Sequence, residues 1–154
     1  MSDELRVPKR RAQVEVLLPG GAARQVTVFL AEFAGGHAGH ERLSDLLNAA
    51  GEFVPAVDVA TDAMTFINRQ SVAAARVARE WEIGDDLAGG EEHEVEIALS
   101  DGTSLRGTVH FVLPPERSRL LDFLNDAQPF VRLAQEDKVT LVNKRHIARV
   151  SKVK

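Results

Sequence analysis

Two short blocks of this chain are near copies of each other. Residues 42–54 read RLSDLLNAAGEFV and residues 119–131 read RLLDFLNDAQPFV. Eight of the 13 positions are identical: Arg42/Arg119, Leu43/Leu120, Asp45/Asp122, Leu47/Leu124, Asn48/Asn125, Ala50/Ala127, Phe53/Phe130 and Val54/Val131. Unrelated segments of average composition share about one. The flanks correspond in the same order. Val14-Glu15-Val16 matches Val95-Glu96-Ile97, and Thr27-Val28 matches Thr108-Val109. Downstream, Thr65-Phe66-Ile67-Asn68-Arg69 matches Thr140-Leu141-Val142-Asn143-Lys144. Self-similarity of this extent reads as tandem duplication of one folding unit, at residues 13–77 and 94–154.

Each copy predicts the order β-β-α-β-β-β. Alternation in Val14–Leu18 and Val95–Leu99 marks a first strand. Pro19-Gly20-Gly21 and Asp101-Gly102 then supply turns, the second a strong hairpin signal. Second strands are expected at Gln25–Leu30 and Gly107–Leu113. In the matched block, Leu43, Leu46 and Leu47, and Leu120, Phe123 and Leu124, share one helical face. Strands follow at Phe53–Val59 and Phe130–Ala134, and a closing pair at Met64–Asn68 with Ser71–Val77 and Val139–Asn143 with His146–Val150. Ser71–Arg79, SVAAARVAR, carries helical propensity in its alanines. Its counterpart alternates, so a strand is expected there too. Residues 1–12 read as a basic tail. Residues 78–93, AREWEIGDDLAGGEEH, read as an acidic, Gly-containing linker. A unit of about 60 residues buries a marginal core alone. The fold class expected is therefore mainly β (α+β), with two barrel-like units packed as a pseudo-symmetric pair.

The closing strand pair, joined through Asn68-Arg69 or Asn143-Lys144, resembles the last strands of Sm-like and SH3-like small barrels. That resemblance implies a small β-barrel and, by analogy, nucleic-acid binding. In the Sm pattern the helix comes first, whereas here it follows the first hairpin. Arg6 and Arg10 have the RxxxR spacing of PilZ cyclic-dinucleotide modules, but DGTSLRG at 101–107 misses their companion DxSxxG motif by one position.

Composition narrows the function. The formal net charge is −4, opposite to a strongly basic nucleic-acid protein. Seven Phe, one Trp and no Tyr leave few rings for stacking on bases. The absence of cysteine removes disulfides, thiolate nucleophiles and Cys-ligated metals. The first residues, MSDELRVPKRRAQ, lack the apolar stretch of a secretory signal. The expected location is cytoplasmic, and the Ala, Arg and Val content has a bacterial character.

Arg42, Asp45 and Asn48 recur as Arg119, Asp122 and Asn125 on one polar helical face. They are read as framework: a local Arg–Asp pair and an Asn at the helix end, rather than a paired polar site. His37 and His40 in GGHAGHE, with His93 further on, are the place where a metal would be held. An exposed loop is expected there instead, with no metal and no cofactor. Lys9, Arg10 and Arg11 are read first as a solvated basic terminus and Trp81, beside the linker, as cementing the two units; the same four residues are the candidates for contact with a partner. Catalytic residues are expected to be absent, because no GxSxG, Walker-type phosphate loop or HExxH occurs. The leading expectation is a non-enzymatic protein–protein interaction module, an accessory or structural subunit of a larger bacterial assembly. The alternatives are a nucleic-acid- or nucleotide-binding barrel and, third, a metal-dependent enzyme using the His37/His40 loop.

Overall fold

The alternation read from the sequence becomes strands almost throughout. The structure, a computed structural model, describes residues 9–32, 34, 39–82, 90–112, 114 and 119–153. The first half runs β1 (Lys9–Leu17), β2 (Ala23–Ala31), α1 (Leu43–Asn48), β3 (Phe53–Asp58), β4 (Met64–Asn68) and β5 (Ala74–Ala78). The second runs β6 (Glu91–Leu99), β7 (Ser104–Phe111), α2 (Leu120–Leu124), β8 (Phe130–Ala134), β9 (Lys138–Asn143) and β10 (Ile147–Lys152). These strands form one antiparallel sheet in the order β10-β6-β7-β8-β9-β5-β1-β2-β3-β4. On each side of the β9–β5 junction the chain order is the same: fifth, first, second, third, fourth.

The sheet is not closed, which corrects the barrel expected from the sequence. Closing a half would bring its fourth strand round onto its own fifth. Instead β5 lies between β1 and β9, with Ala74–Ala78 facing Val142–Lys138 in register. β4 and β10 are left as the two ends of the sheet, each paired on one side.

Local chemistry explains the boundaries. The closing strands begin later than alternation alone indicates, because Arg69–Ser71 and Lys144–His146 each form one 3₁₀ turn. Asn68 Oδ1 accepts from the Gln70 amide at 2.9 Å, and Asn143 Oδ1 from the Arg145 amide at 3.0 Å. That side-chain cap is why Asn recurs at this point. The cation that follows it fastens the turn to the preceding helical segment. Arg69 donates through Nε and Nη2 to the Leu46 carbonyl at 3.1 and 2.9 Å, and Lys144 donates to the Asp126 carbonyl at 2.9 Å. At the other end, β1 reaches back to Lys9, so Lys9, Arg10 and Arg11 lie on a strand rather than in a tail.

The alanines of the SVAAARVAR segment enter the sheet rather than a helix because the central strands are covered on both faces. Ala73, Ala74 and Ala75 are all buried, and side chains alternate faces along a strand. Ala75 and Val77 join one core with Val14, Val28, Leu43 and Leu47; Ala74 joins a second with Ile97, Val109 and Leu133. β9 divides in the same way, with Val139 and Leu141 in the first core and Val142 in the second. Two-sided burial favours small and β-branched residues over intrinsic helix propensity.

Leu141 belongs to the second half but is fully buried in the core of the first. Leu141→Ala is expected to cost about 2–5 kcal/mol in urea unfolding, as for a large-to-small change in a packed core. A cost below about 1 kcal/mol, the level of ordinary surface changes, would contradict this interlocking of the cores.

Candidate functional site

The junction between the halves is held by polar groups, among them buried Glu82, which sequence reading assigned to a solvated linker. After β5, the chain makes a 3₁₀ turn at Arg79–Trp81 and places Glu82 at 0% exposure. The Glu82 carboxylate accepts from the Ser44 amide at 2.8 Å, in the first turn of α1, and from the Ser44 hydroxyl. It also accepts from Arg132 Nε on β8 at 2.8 Å. A carboxylate at a helix N-terminus meets unpaired amides and the positive end of the peptide dipoles. One buried acid thus joins the linker, the helix of the first half and a strand of the second.

Other bonds cross the same junction. Asn48 Oδ1, at the end of α1, accepts from the Phe130 amide at 2.9 Å. Buried Asn143 donates through Nδ2 to the Val72 and Arg69 carbonyls at 3.0 and 3.3 Å. Asp101, in the β6–β7 turn, accepts from the Thr103 amide and the Gly20 amide, both at 2.8 Å, so it connects the two hairpin turns. The Thr103 bonds, then the Gly20 bond, hold its carboxyl below the ordinary carboxylate value.

The repeated polar residues divide between these tasks. Asp45 accepts from the Arg42 amide at 2.8 Å and Asp122 from the Arg119 amide at 3.3 Å, each acid reaching back to close the first turn of its helix. Asp122 also pairs with exposed Arg119 Nε at 3.4 Å. Asn125 ends α2 with its amide bonded to the Leu121 carbonyl at 3.0 Å. Trp81 packs against the first core, with the Arg10 guanidinium 4.4 Å from its ring centroid. Arg11 stands 5.8 Å from the Phe29 ring centroid. Lys9 opens β1, opposite Ala31. His40 Nδ1 lies 2.8 Å from the Glu32 carbonyl, His93 on β6 stacks on Phe111, and His37 lies outside the described residues. Among the described residues, no three His, Asp or Glu side chains gather as a metal-binding group. Among them also, no helix is long and apolar enough to cross a membrane.

A row of exposed apolar side chains lies at the β4 end of the sheet. Phe53 on β3 and Met64 and Phe66 on β4 are 54%, 56% and 65% exposed, and Val59 follows beside them. Their sequence partners behave oppositely. Phe130, Val139 and Leu141 are at most 4% exposed and pack into the core of the first half. The intervening residues are alike in the two halves: Val54, Ala56 and Ile67 face the first core as Val131, Leu133 and Val142 face the second. The β3–β4 hairpin therefore exposes the face that β8–β9 buries. Its turn is ordered by Asp58, which accepts from the Ala60 and Thr61 amides at 2.9 and 3.3 Å and pairs with Arg24. Burial alone would raise the Asp58 carboxyl; the Ala60 and Thr61 amides and Arg24 outweigh it and hold it below the ordinary value.

Sequence reading missed Glu82, Arg132 and Asp58. Glu82, in a charged segment, carries no mark of burial, whereas Asp58 at the end of β3 and Arg132 on β8 are charged residues of otherwise apolar strands. It also missed Phe53, Met64 and Phe66, because alternation identifies two faces but not which one is covered. Comparison with family models, curated proteins and solved structures found no match to this chain.

Two outcomes follow. Glu82→Ala leaves Arg132 without its buried partner and is expected to cost about 3 kcal/mol, the lower range for breaking a buried pair; a change under about 1 kcal/mol would show that the junction does not depend on it. The carboxyls of Asp58 and Asp101 have folded pKa values below their unfolded value of 3.8. Their stabilisation is present above that value and is lost as pH falls through the folded values. Asp101→Asn should flatten the acid side of a stability–pH profile while leaving its neutral-pH slope alone. An unchanged acid limb would contradict this assignment.

Proposed function

We propose that the protein is a non-enzymatic interaction module, a structural or accessory subunit of a larger bacterial assembly, built by tandem duplication of one β-β-α-β-β-β unit. The duplication is supported by the matched sequence blocks and by the common strand order on either side of the β9–β5 junction. The interaction reading is carried by one observation. Phe53, Met64 and Phe66 form an exposed apolar row beside an unpaired strand edge, whereas their partners in the second half are buried. Apolar surface next to a free edge is the arrangement that binds another chain by strand addition. We place the protein in the cytoplasm on its lack of cysteine, which suits a reducing compartment.

The test is a tagged pull-down from native lysate, comparing the wild type with Phe66→Lys. Stoichiometric partner chains should accompany the wild type and be lost from the variant, which folds normally because Phe66 is exposed. A wild type returned only as free monomer would contradict the proposal.

A further inference from the structure

We infer that the chain pairs with further copies of itself, head to tail, with the β4 edge of one copy joining the β10 edge of the next. This names the partner in the interaction reading above and rests on it. The template is the internal junction. There, the fourth strand of the second half (β9) pairs with the fifth strand of the first (β5), in the register Ala74↔Val142, Ala75↔Leu141 and Arg76↔Thr140. The two strands left at the ends of the sheet are the complementary ones: the fourth of the first half (β4) and the fifth of the second (β10). The sequence correspondence carries the register across as Arg149↔Ile67, Val150↔Phe66 and Ser151↔Thr65.

Both sides of the contact have the required chemistry. At the internal junction, Phe130, Val139 and Leu141 insert against Val77, Ala75, Leu43 and Leu47. In the second half the corresponding positions are Lys152, Val150, Leu120 and Leu124. These four, with His93 and the exposed Leu121, line an open groove of about 610 Å³ between α2, β6 and β10. In the first half the corresponding space is filled by the other half of the chain. The exposed Phe53, Met64 and Phe66 are the matching insert. Lys152 stands where Val77 stands, and its aliphatic stem can cover the groove while the ammonium reaches the rim. The hydrogen-bonding groups recur as well. Asn125 occupies the position of Asn48, which binds the Phe130 amide, and so would meet the Phe53 amide of the neighbour. Asn68 occupies the position of Asn143, which donates to the Val72 and Arg69 carbonyls.

The occupant is a second copy because both edges carry the two different halves of one interface. Such a heterologous contact repeats: it closes into a ring where the rotation allows and otherwise extends as a filament. Glu82 and Arg132 set the difference between the contacts. Ser44 and Arg132, which hold Glu82 at the inner contact, correspond to Leu121 and Pro55 at the outer one, so the outer contact is apolar there where the inner one is charged. The outer contact is the reversible one, because association must also offset the translational and rotational freedom lost by two separate chains, which the internal contact does not.

The chain has no cysteine, so engineered thiols are unambiguous. Residues directly opposite in an antiparallel pair have Cα atoms about 4.5–5.5 Å apart, within disulfide range. Thr65→Cys combined with Ser151→Cys, directly opposite and leaving Phe66 in place, should give a ladder of cross-linked multimers on oxidation. Thr65→Cys with Val150→Cys, one residue out of register and on opposite faces, should not. The purified wild type should self-associate across the micromolar range in sedimentation, and Phe66→Lys should weaken this about 30-fold or more, as for a central aromatic anchor. A wild type that remains monomeric, or an in-register cysteine pair that does not cross-link on oxidation, would overturn self-pairing, as would association unaffected by Phe66→Lys. If that monomer still captured lysate partners through Phe66, the interaction reading would stand with a different partner.

Discussion

The β5–β9 pairing is the constraint on which the rest of the structure depends. It takes the strand that each half would need for its own closure and spends it on the other half. β5 and β9 become the centre of one sheet, buried on both faces, and each sends side chains into two cores. Fully burying a side chain such as Leu or Phe contributes about 1.5–3 kcal/mol. Phe130, Val139 and Leu141 together therefore give the first half several kcal/mol that it cannot obtain from its own residues. A half of this size holds a marginal core by itself, and the shared strands are what make the pair stable.

The polar groups at the junction specify how the halves meet. Apolar faces alone permit sliding, since strand registers that preserve alternation differ by two residues. Glu82, Asn143 and Asp101 each have fixed partners in both halves, and Asn48 binds the Phe130 amide across the junction. A shifted register would break these bonds and leave Glu82 and Asn143 desolvated and unpaired, which is the costly outcome for buried polar atoms. Among the described residues, no buried side-chain polar atom lacks a hydrogen-bond partner.

Much of the fold was legible because strands announce themselves by alternation. β4 and β8 fall where the sequence places them, and the conserved spacing R-L-x-D-x-L-N marks both helices. The closure of the sheet was not legible. Met64 and Phe66 alternate in the same phase as Val139 and Leu141, and nothing local records that one pair is covered and the other exposed. The same holds for Glu82, whose neighbours are acidic and glycine-rich although it is fully buried. The turn after Asn68 and Asn143 was visible as a repeated Asn-Arg/Lys, but its cause, a side-chain cap plus a cation fastened to the helical segment, appears only in three dimensions. The beginning of β1 was obscured by charge: Lys9, Arg10 and Arg11 read as a tail, although strands at a sheet surface accept long cationic side chains.

An open sheet whose two ends match each other is the physical consequence of moving β9 onto β5. Each half lends one edge and borrows another inside the chain, and the same exchange is left outstanding at β4 and β10. The most direct measurement of this account is amide hydrogen exchange followed as a function of protein concentration. The account predicts that β5 and β9 amides are protected at every concentration, while outward-facing amides of β4 and β10 exchange rapidly when dilute and gain protection together as concentration rises. Rapid exchange of β4 and β10 at all concentrations, or loss of protection in β5 and β9 on dilution, would contradict it.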